Sequence, residues 1–553
     1  MAATVLTDPA ARPGLLGLPE EAARSASRSP GWRAAGLLAA APLLVHVLRL
    51  VLVRPQVVLG GDQALIELGV RDATRFGATV GVYSHFGWHH PGPAWLYLLS
   101  APYRLLGAAS WSLVTAVLLL NVVWVLLIVR TAARLPRRAA EGTRASWLVA
   151  LALLVLQGCL GTDMFRYVWN PNATILPAVL FLVLCCGVCL GRSGCAVGAA
   201  LVGTFLVQTH VGTLALVGVV GLFVLAARLV RGRGWRSGRM DARGSNPRRR
   251  RASVVAGALL LVLAWVPPVV DQATGTGNLG RVLHFFSSRQ EPRSWPGSVS
   301  GPGELVDRVF LHPAPGRLTP ALHLAGVAGI ATMVVLLAAS AVLVAAGRRR
   351  SHAGQVCGLV ALAAMPAAAL AAHGIIGDAG PYLLFWVLAI PVLTGIGWAQ
   401  FLAAGRAQDR GTAPTLIWAV LAIATVVTGA AVVVAAFGLP TAPPPADAAI
   451  GRGAPLLAQR LAALGHEPVL VTIGTAGRWS VATGLALELT RRGWPAYVDG
   501  RNAEMFDLEP PPGHRPMPDV VVTDVSVPGV PGAQAVTPPG SPPLGLYLKT
   551  VGG

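Results

Sequence analysis

Residues 59–107 read LGGDQALIELGVRDATRFGATVGVYSHFGWHHPGPAWLYLLSAPYRLLG, the densest polar stretch outside the tails and the basic loops. Asp62, Glu67, Arg71, Asp72, Arg75, Tyr83, His85, His89 and His90 fall within thirty residues. An apolar run, 34–53, precedes them. A chain with so little charge has small reason to gather these groups in one loop unless the loop does chemistry.

The flanking sequence decides the fold class. Of 553 residues, 54% are apolar and 12% charged, and the mean hydropathy is +0.61; soluble domains are about 25% charged. Several runs reach the roughly 18 apolar residues that a bilayer-crossing helix needs. The expected fold class is mainly α, a polytopic membrane protein with a small α/β C-terminal domain. The net charge is +20, from 44 basic and 24 acidic residues, with Lys549 the sole lysine. The arginines sit between apolar runs, where they set orientation, and no soluble basic domain is present, which argues against a nucleic-acid partner. The six cysteines (159, 185, 186, 189, 195 and 357) lie in or beside apolar runs and read as small buried hydrophobes. Residues 1–33 lack an apolar core of their own and read as a disordered cytoplasmic tail; 34–53 is too long for a cleaved signal and reads as a retained span.

Eleven spans are expected, near 34–53, 111–130, 146–161, 173–190, 195–209, 211–229, 252–270, 319–346, 354–373, 381–404 and 414–437, the third and fifth being short. With the N-terminus inside, the arginines of 130–144, Arg192, Arg248 to Arg251, Arg348 to Arg350, and Arg406 with Arg410 all fall on one side, as the positive-inside rule requires. Counting 93–107 as a span would reverse every later loop. It is therefore expected to lie at the outer interface, with Trp88, Trp95, Tyr97 and Tyr103 at headgroup level. The alternative is a true span paired with a missed one.

This topology puts the unusual polar residues on the outer face: the first outer loop 54–110, TDMFRYVWNPN (162–172), Gln208-Thr209-His210, PPVVDQATGTGNLG (267–280) with His284, and HGIIGD (373–378). Polar groups at span ends are costly unless they line a functional cavity. Loop 271–318, rich in glycine and proline, reads either as a mobile lid or as an ordinary loop. After a Pro-rich linker (439–450) comes an extracytoplasmic domain, 451–553, in which VLVTIG (469–474), a helix over 479–492 and PAYVDG (495–500) read as β-α-β, with PDVVVTD (518–524) a further strand.

An outward pocket with one well-placed acid, histidines and arginines suits sugar transfer from a lipid-linked phosphate. That chemistry needs a base for an acceptor hydroxyl, donors for a phosphate leaving group and a groove for a polyprenyl chain. Asp62, after Gly60-Gly61, is the candidate base; the plain alternative is an N-cap for a helix beginning near Gln63. Candidate donor- or acceptor-binding residues are His89, His90, Arg71, Arg75, Tyr83, Arg166, Asn170, His210, Asn278 and Arg281. The arginines could equally contact lipid headgroups. Adjacent histidines point apart and no acid completes a ligand set, so hydrogen bonding is favoured over a metal site, and no cofactor is expected.

Gly61-Asp62-Gln63-Ala64, His90-Pro91-Gly92-Pro93 leading into Tyr97-Leu98, Trp169-Asn170-Pro171 and Trp265-Val266-Pro267-Pro268 resemble, in order and sidedness, the GT-C superfamily of integral membrane glycosyltransferases. These use polyprenyl-phosphate sugars and include protein mannosyltransferases, aminoarabinose transferases and actinobacterial arabinosyl- and mannosyltransferases. The resemblance implies a catalytic carboxylate at Asp62, two interfacial helices in the first outer loop, inversion at the anomeric carbon, and an envelope glycan, lipid or protein acceptor. Many members carry paired acids where this chain has Gly61-Asp62, so a metal-binding pair is not implied. Asp163 could be a further acid or a loop cap. The Ala-, Arg- and Gly-rich bias fits an actinobacterial source. Two other readings are a flippase for lipid-linked precursors, which needs no base and often shows inverted repeats that are not evident here, and a non-catalytic envelope assembly protein.

Overall fold

The computed structural model describes residues 31–232 except 85 and 193; 247–404 except 289–292, 314–317, 319–320 and 323–325; 412–498 except 444–446 and 466; and 517–524, 533–536 and 544–549. The expected tail up to residue 30, His85, Arg406 and Arg410 lie outside the described residues.

Helix α1 (Gly31–Val53) leads into a long loop region. This holds α2 (Gly61–Ala73), a hairpin of β1 (Tyr83–Ser84) and β2 (Trp88–His89), and α3 (Ala94–Leu105). Next come α4 (Ser110–Ala132), α5 (Ala139–Leu160), α6 (Ile175–Cys189), α7 (Cys195–Thr209), α8 (Leu214–Gly232) and α9 (Pro247–Thr274). A second loop region carries α10 (Asn278–Ser287) and α11 (Trp295–Val306). The bundle closes with α12 (Val327–Arg350), α13 (His352–His373), α14 (Ala389–Ala403, entered through the 3-10 turn Pro381–Leu388) and α15 (Thr412–Gly438).

Ten segments, built on α1, α4, α5, α6, α8, α9, α12, α13, α14 and α15, are long and apolar enough to cross a membrane among the described residues. The remaining expected span, α7, is apolar but has 15 residues, a rise of about 22 Å against a core of about 30 Å; the sheet domain after the last span packs on the loop after the first, which takes an odd number of crossings, with α7 among them. The third segment is longer than expected, because helix α5 begins at Ala139 within the basic loop.

Helix α6 is apolar all round and buried on every side. Outer helices turn aliphatic side chains to the lipid: Leu263 on α9, Val335 on α12 and Val434 on α15 are exposed. With lipid as apolar as the interior, polar bonds and close contacts join the helices. Gln157 donates to the Ala39 carbonyl (2.9 Å), and Gln400 to that of Ala132 (2.9 Å). Gly303 of α11 meets Gly329 of α12 so closely that a Cβ would come 1.9 Å from the Gly329 oxygen.

Helix α3 has 12 residues, too short to cross a bilayer, and packs against α2, α4 and α7. The aromatic residues expected at headgroup level are placed differently. Trp88, Trp95 and Tyr103 are buried inside the protein, and the Trp95 indole donates to the Val168 carbonyl at 3.2 Å. The loop after α9 holds two helices, with polar Ser298 and Ser300 of α11 fully buried.

The C-terminal region comprises α16 (Ala448–Ala462), β3 (Val469–Ile473), α17 (Trp479–Arg491), β4 (Ala496–Val498), β5 (Asp519–Asp524), β6 (Ala533–Ala535) and β7 (Leu544–Lys549). The sheet order is β4-β3-β5-β7-β6; β3 pairs in parallel with β4 and β5, and β7 is antiparallel to β5 and β6. Its core, with Leu457, Val471, Leu485 and Val522, also takes in Leu65 of α2. The sheet domain thus sits directly on the first loop region.

Candidate active site

Asp62 owes its place to the two residues before it. Gly60 is extended and is the N-cap, and Gly61 takes a left-handed φ of +57° that disfavours any side chain. The Gly61 N–H donates to Thr483 Oγ1 at 2.8 Å, and a Cβ there would lie 3.3 Å from Trp479 Cη2. Asp62 therefore sits in the first turn of α2, not at the N-cap position, and its charge is favoured by the helix N-terminus. Burial, and then the nearby Asp62 carboxylate, raise the pKa of Tyr167.

Asp62 lines a cavity of ≈ 990 Å³. Tyr83, His90, Asn170 and His210 line it too, so the first loop, the WNP turn and the break between α7 and α8 converge. Most of the remaining wall is apolar: Trp88, Phe285 and Leu283 come from the hairpin and α10, and Leu370 and Ile375 from the end of α13 and the turn beyond. A cavity with a few polar groups in an apolar shell is the usual form of a ligand site.

The histidines are held in order. His90 Nδ1 accepts the Val211 N–H at 3.2 Å, so a neutral ring carries its proton on Nε2. The His90 and His210 rings lie 4.8 Å apart. Burial lowers both from the ordinary 6.5, His210 to about 4 and His90 well below its ordinary value, with His210 and His89 adding to the effect on His90. Asn170 donates to the Thr209 carbonyl at 3.0 Å, steadying the same break.

His89 and Asn278 fasten the hairpin to α10. The Asn278 amide accepts the His89 N–H (2.7 Å) and donates to the His89 carbonyl (2.9 Å). Asp271 in turn accepts the N–H groups of Thr276 and Asn278, each at 2.9 Å. Burial lowers His89 to about 4. Neither His89 nor Asn278 is on the cavity wall.

None of the four expected phosphate-binding arginines lines the cavity. Arg166 is buried, bonded to the Pro440 carbonyl (2.6 Å) and paired with Asp163 (2.5 Å). Arg71 donates to the Tyr103 hydroxyl at 3.3 Å. Arg75 is exposed, and Arg281 lies on the exposed side of α10, where its charge reaches His89. Among the described residues no three His, Cys, Asp or Glu side chains gather as a metal site.

Among solved structures, the chain is similar to ArnT from Cupriavidus metallidurans bound to undecaprenyl phosphate, with a TM-score of 0.53 over 95% of this chain and 99% of that one, at 15% identity. It has the ArnT fold. The apo state of the same ArnT gives 0.52 over 93% and 97%, again at 15% identity. The expected fold class, a mainly α polytopic membrane protein with a small C-terminal α/β domain, is thus the fold observed. No protein-family model and no curated protein matches the chain.

Several wall residues drew no attention in the sequence. Tyr382, 4.8 Å from Trp169 between ring centroids, sits in an apolar run that reads as plain span. Ile473 and Trp479 come from the sheet domain, and no local pattern links them to the first loop.

Proposed function

We propose that the chain transfers a sugar from a polyprenyl-phosphate donor to a hydroxyl of a cell-envelope glycan, lipid or protein, on the extracytoplasmic face of the cell membrane and with inversion. Asp62 acts as general base. The carrying observation is that Asp62 lines one cavity with His90, Asn170 and His210, whose remaining wall is mostly apolar. The ArnT fold, seen in one structure with undecaprenyl phosphate bound, supports a lipid phosphate as the donor's leaving group.

In the reaction the acceptor O–H gives its proton to the Asp62 carboxylate while its oxygen bonds to the anomeric carbon. The bond from that carbon to the phosphate oxygen breaks, and polyprenyl phosphate leaves with the electron pair. His90, with its proton on Nε2, donates a hydrogen bond to the departing phosphate. The aliphatic and aromatic wall takes the first isoprene units.

Binding of undecaprenyl phosphate to the purified protein tests this reading. The wild type is expected to bind it, and Ala215→Trp, which fills the cavity from α8, to abolish binding. A wild type that fails to bind contradicts the proposal.

A further inference from the structure

We infer that Trp479, from the C-terminal sheet domain, is a stacking platform for the glycosyl ring and sets which sugar the site accepts. This rests on the proposed transfer reaction and assigns a part of it to a domain outside the helical bundle.

Trp479 opens α17 just after the 3-10 turn Ala476–Arg478 that follows β3. It is half-buried, packed against the domain core while also lining the cavity, as does Ile473 at the end of β3. Its Cη2 atom lies 3.3 Å from where a Gly61 Cβ would stand, so the indole reaches the residue next to Asp62. With Asp62 as the base, the anomeric carbon sits beside this residue.

The indole's position is fixed by the seat of its domain. Thr483, one turn along α17, accepts the Gly61 N–H at 2.8 Å. Gly484 approaches so closely that a Cβ would come 2.7 Å from the Leu59 carbonyl. Further along, Arg491 donates to Ser110 Oγ of α4 at 2.9 Å. The platform is therefore tied to both the first loop and the bundle.

A sugar ring has apolar C–H faces and a hydroxyl edge. Asp62 and Asn170 can address the hydroxyls, while a broad, half-buried indole on the cavity wall suits the C–H face. The lipid chain has no need of Trp479, since the Leu283, Leu370 and Ile375 part of the wall is apolar already.

The test compares the affinity of the full-length protein for undecaprenyl phosphate, bare and loaded with mannose, glucose or arabinose. The wild type is expected to bind one loaded form more tightly than the bare lipid. Trp479→Leu, which keeps an apolar side chain but has no ring, should lose roughly threefold to tenfold of that gain with unchanged affinity for the bare lipid. Trp479→Phe should keep most of it. A Leu variant that retains the gain, a Phe variant that loses it as Leu does, or a wild type with no gain for any sugar overturns the inference while leaving lipid binding intact. A wild type that does not bind bare undecaprenyl phosphate overturns the transfer reading itself, and the inference with it.

Discussion

Arg491 on α17 stands 3.9 Å from the carboxylate of Glu67 on α2, joining the C-terminal sheet domain to the helix that carries Asp62. Glu67 is wholly buried; Tyr103 donates to it at 2.9 Å and Ser110 at 2.6 Å. Arg491 also bonds Glu488 at 3.0 Å. A buried ion pair adds little over an apolar pair, but losing one partner strands the other.

Arg491→Leu is therefore expected to cost about 3–5 kcal/mol, read as a fall in Tm. The pH dependence carries a second signature. Burial raises the Glu67 pKa, against the lowering from Arg491 and the two hydroxyl donors. Its protonation thus stabilises the fold fully below the ordinary 4.5, and that contribution is lost as pH rises through the folded value. Glu67→Gln lacks this dependence. Lowering the pH from neutral to 4.5 should shift the Tm difference in favour of the wild type; a constant difference counts against the raised pKa.

His210 has the opposite sign. Burial lowers it from 6.5 to about 4, so its stabilising contribution is complete above 6.5 and lost as pH falls through about 4. His210→Phe should flatten the acid side of the stability curve relative to the wild type. Because Glu67 and His210 act against each other in this range, each shows only as a difference from its own variant. An unchanged acid slope in His210→Phe contradicts a neutral, buried imidazole.

Arg166 is expected to hold the linker and not the donor. Its bond to the Pro440 carbonyl and its Asp163 pair fix the chain just after α15, beside Arg49, which donates to the Leu439 carbonyl at 2.9 Å. Arg166→Ala should cost about 2–5 kcal/mol and speed proteolysis near residues 440–443, with undecaprenyl phosphate affinity unchanged. A large loss of affinity in a variant of unchanged Tm would return Arg166 to the donor site.

The bundle was legible because span-length apolar runs have few other uses, and because the arginine loops agreed on one orientation. The cavity was partly legible for a related reason: Asp62 and His210 stand at helix ends, and His90 and Asn170 in short turns just before helices, where a polar residue needs a purpose. What stayed hidden was partner choice. Nothing local distinguishes an arginine that binds phosphate from Arg166, which satisfies a linker carbonyl hundreds of residues away. The aromatic residues of 88–103 looked interfacial by composition, yet tertiary packing buries Trp88, Trp95 and Tyr103. The contact between Gly61 and Trp479 belongs to domain docking and has no sequence signal.

The central claim is that Asp62 takes the acceptor proton, and Asp62→Asn measured for both turnover and donor binding tests it most directly. Turnover should fall by at least about 100-fold with affinity for the polyprenyl-phosphate donor unchanged, because the amide keeps the shape of the acid and loses only its basicity. Full turnover in Asp62→Asn, or unimpaired movement of the lipid-linked sugar across vesicles with no transfer in the wild type, would contradict the account.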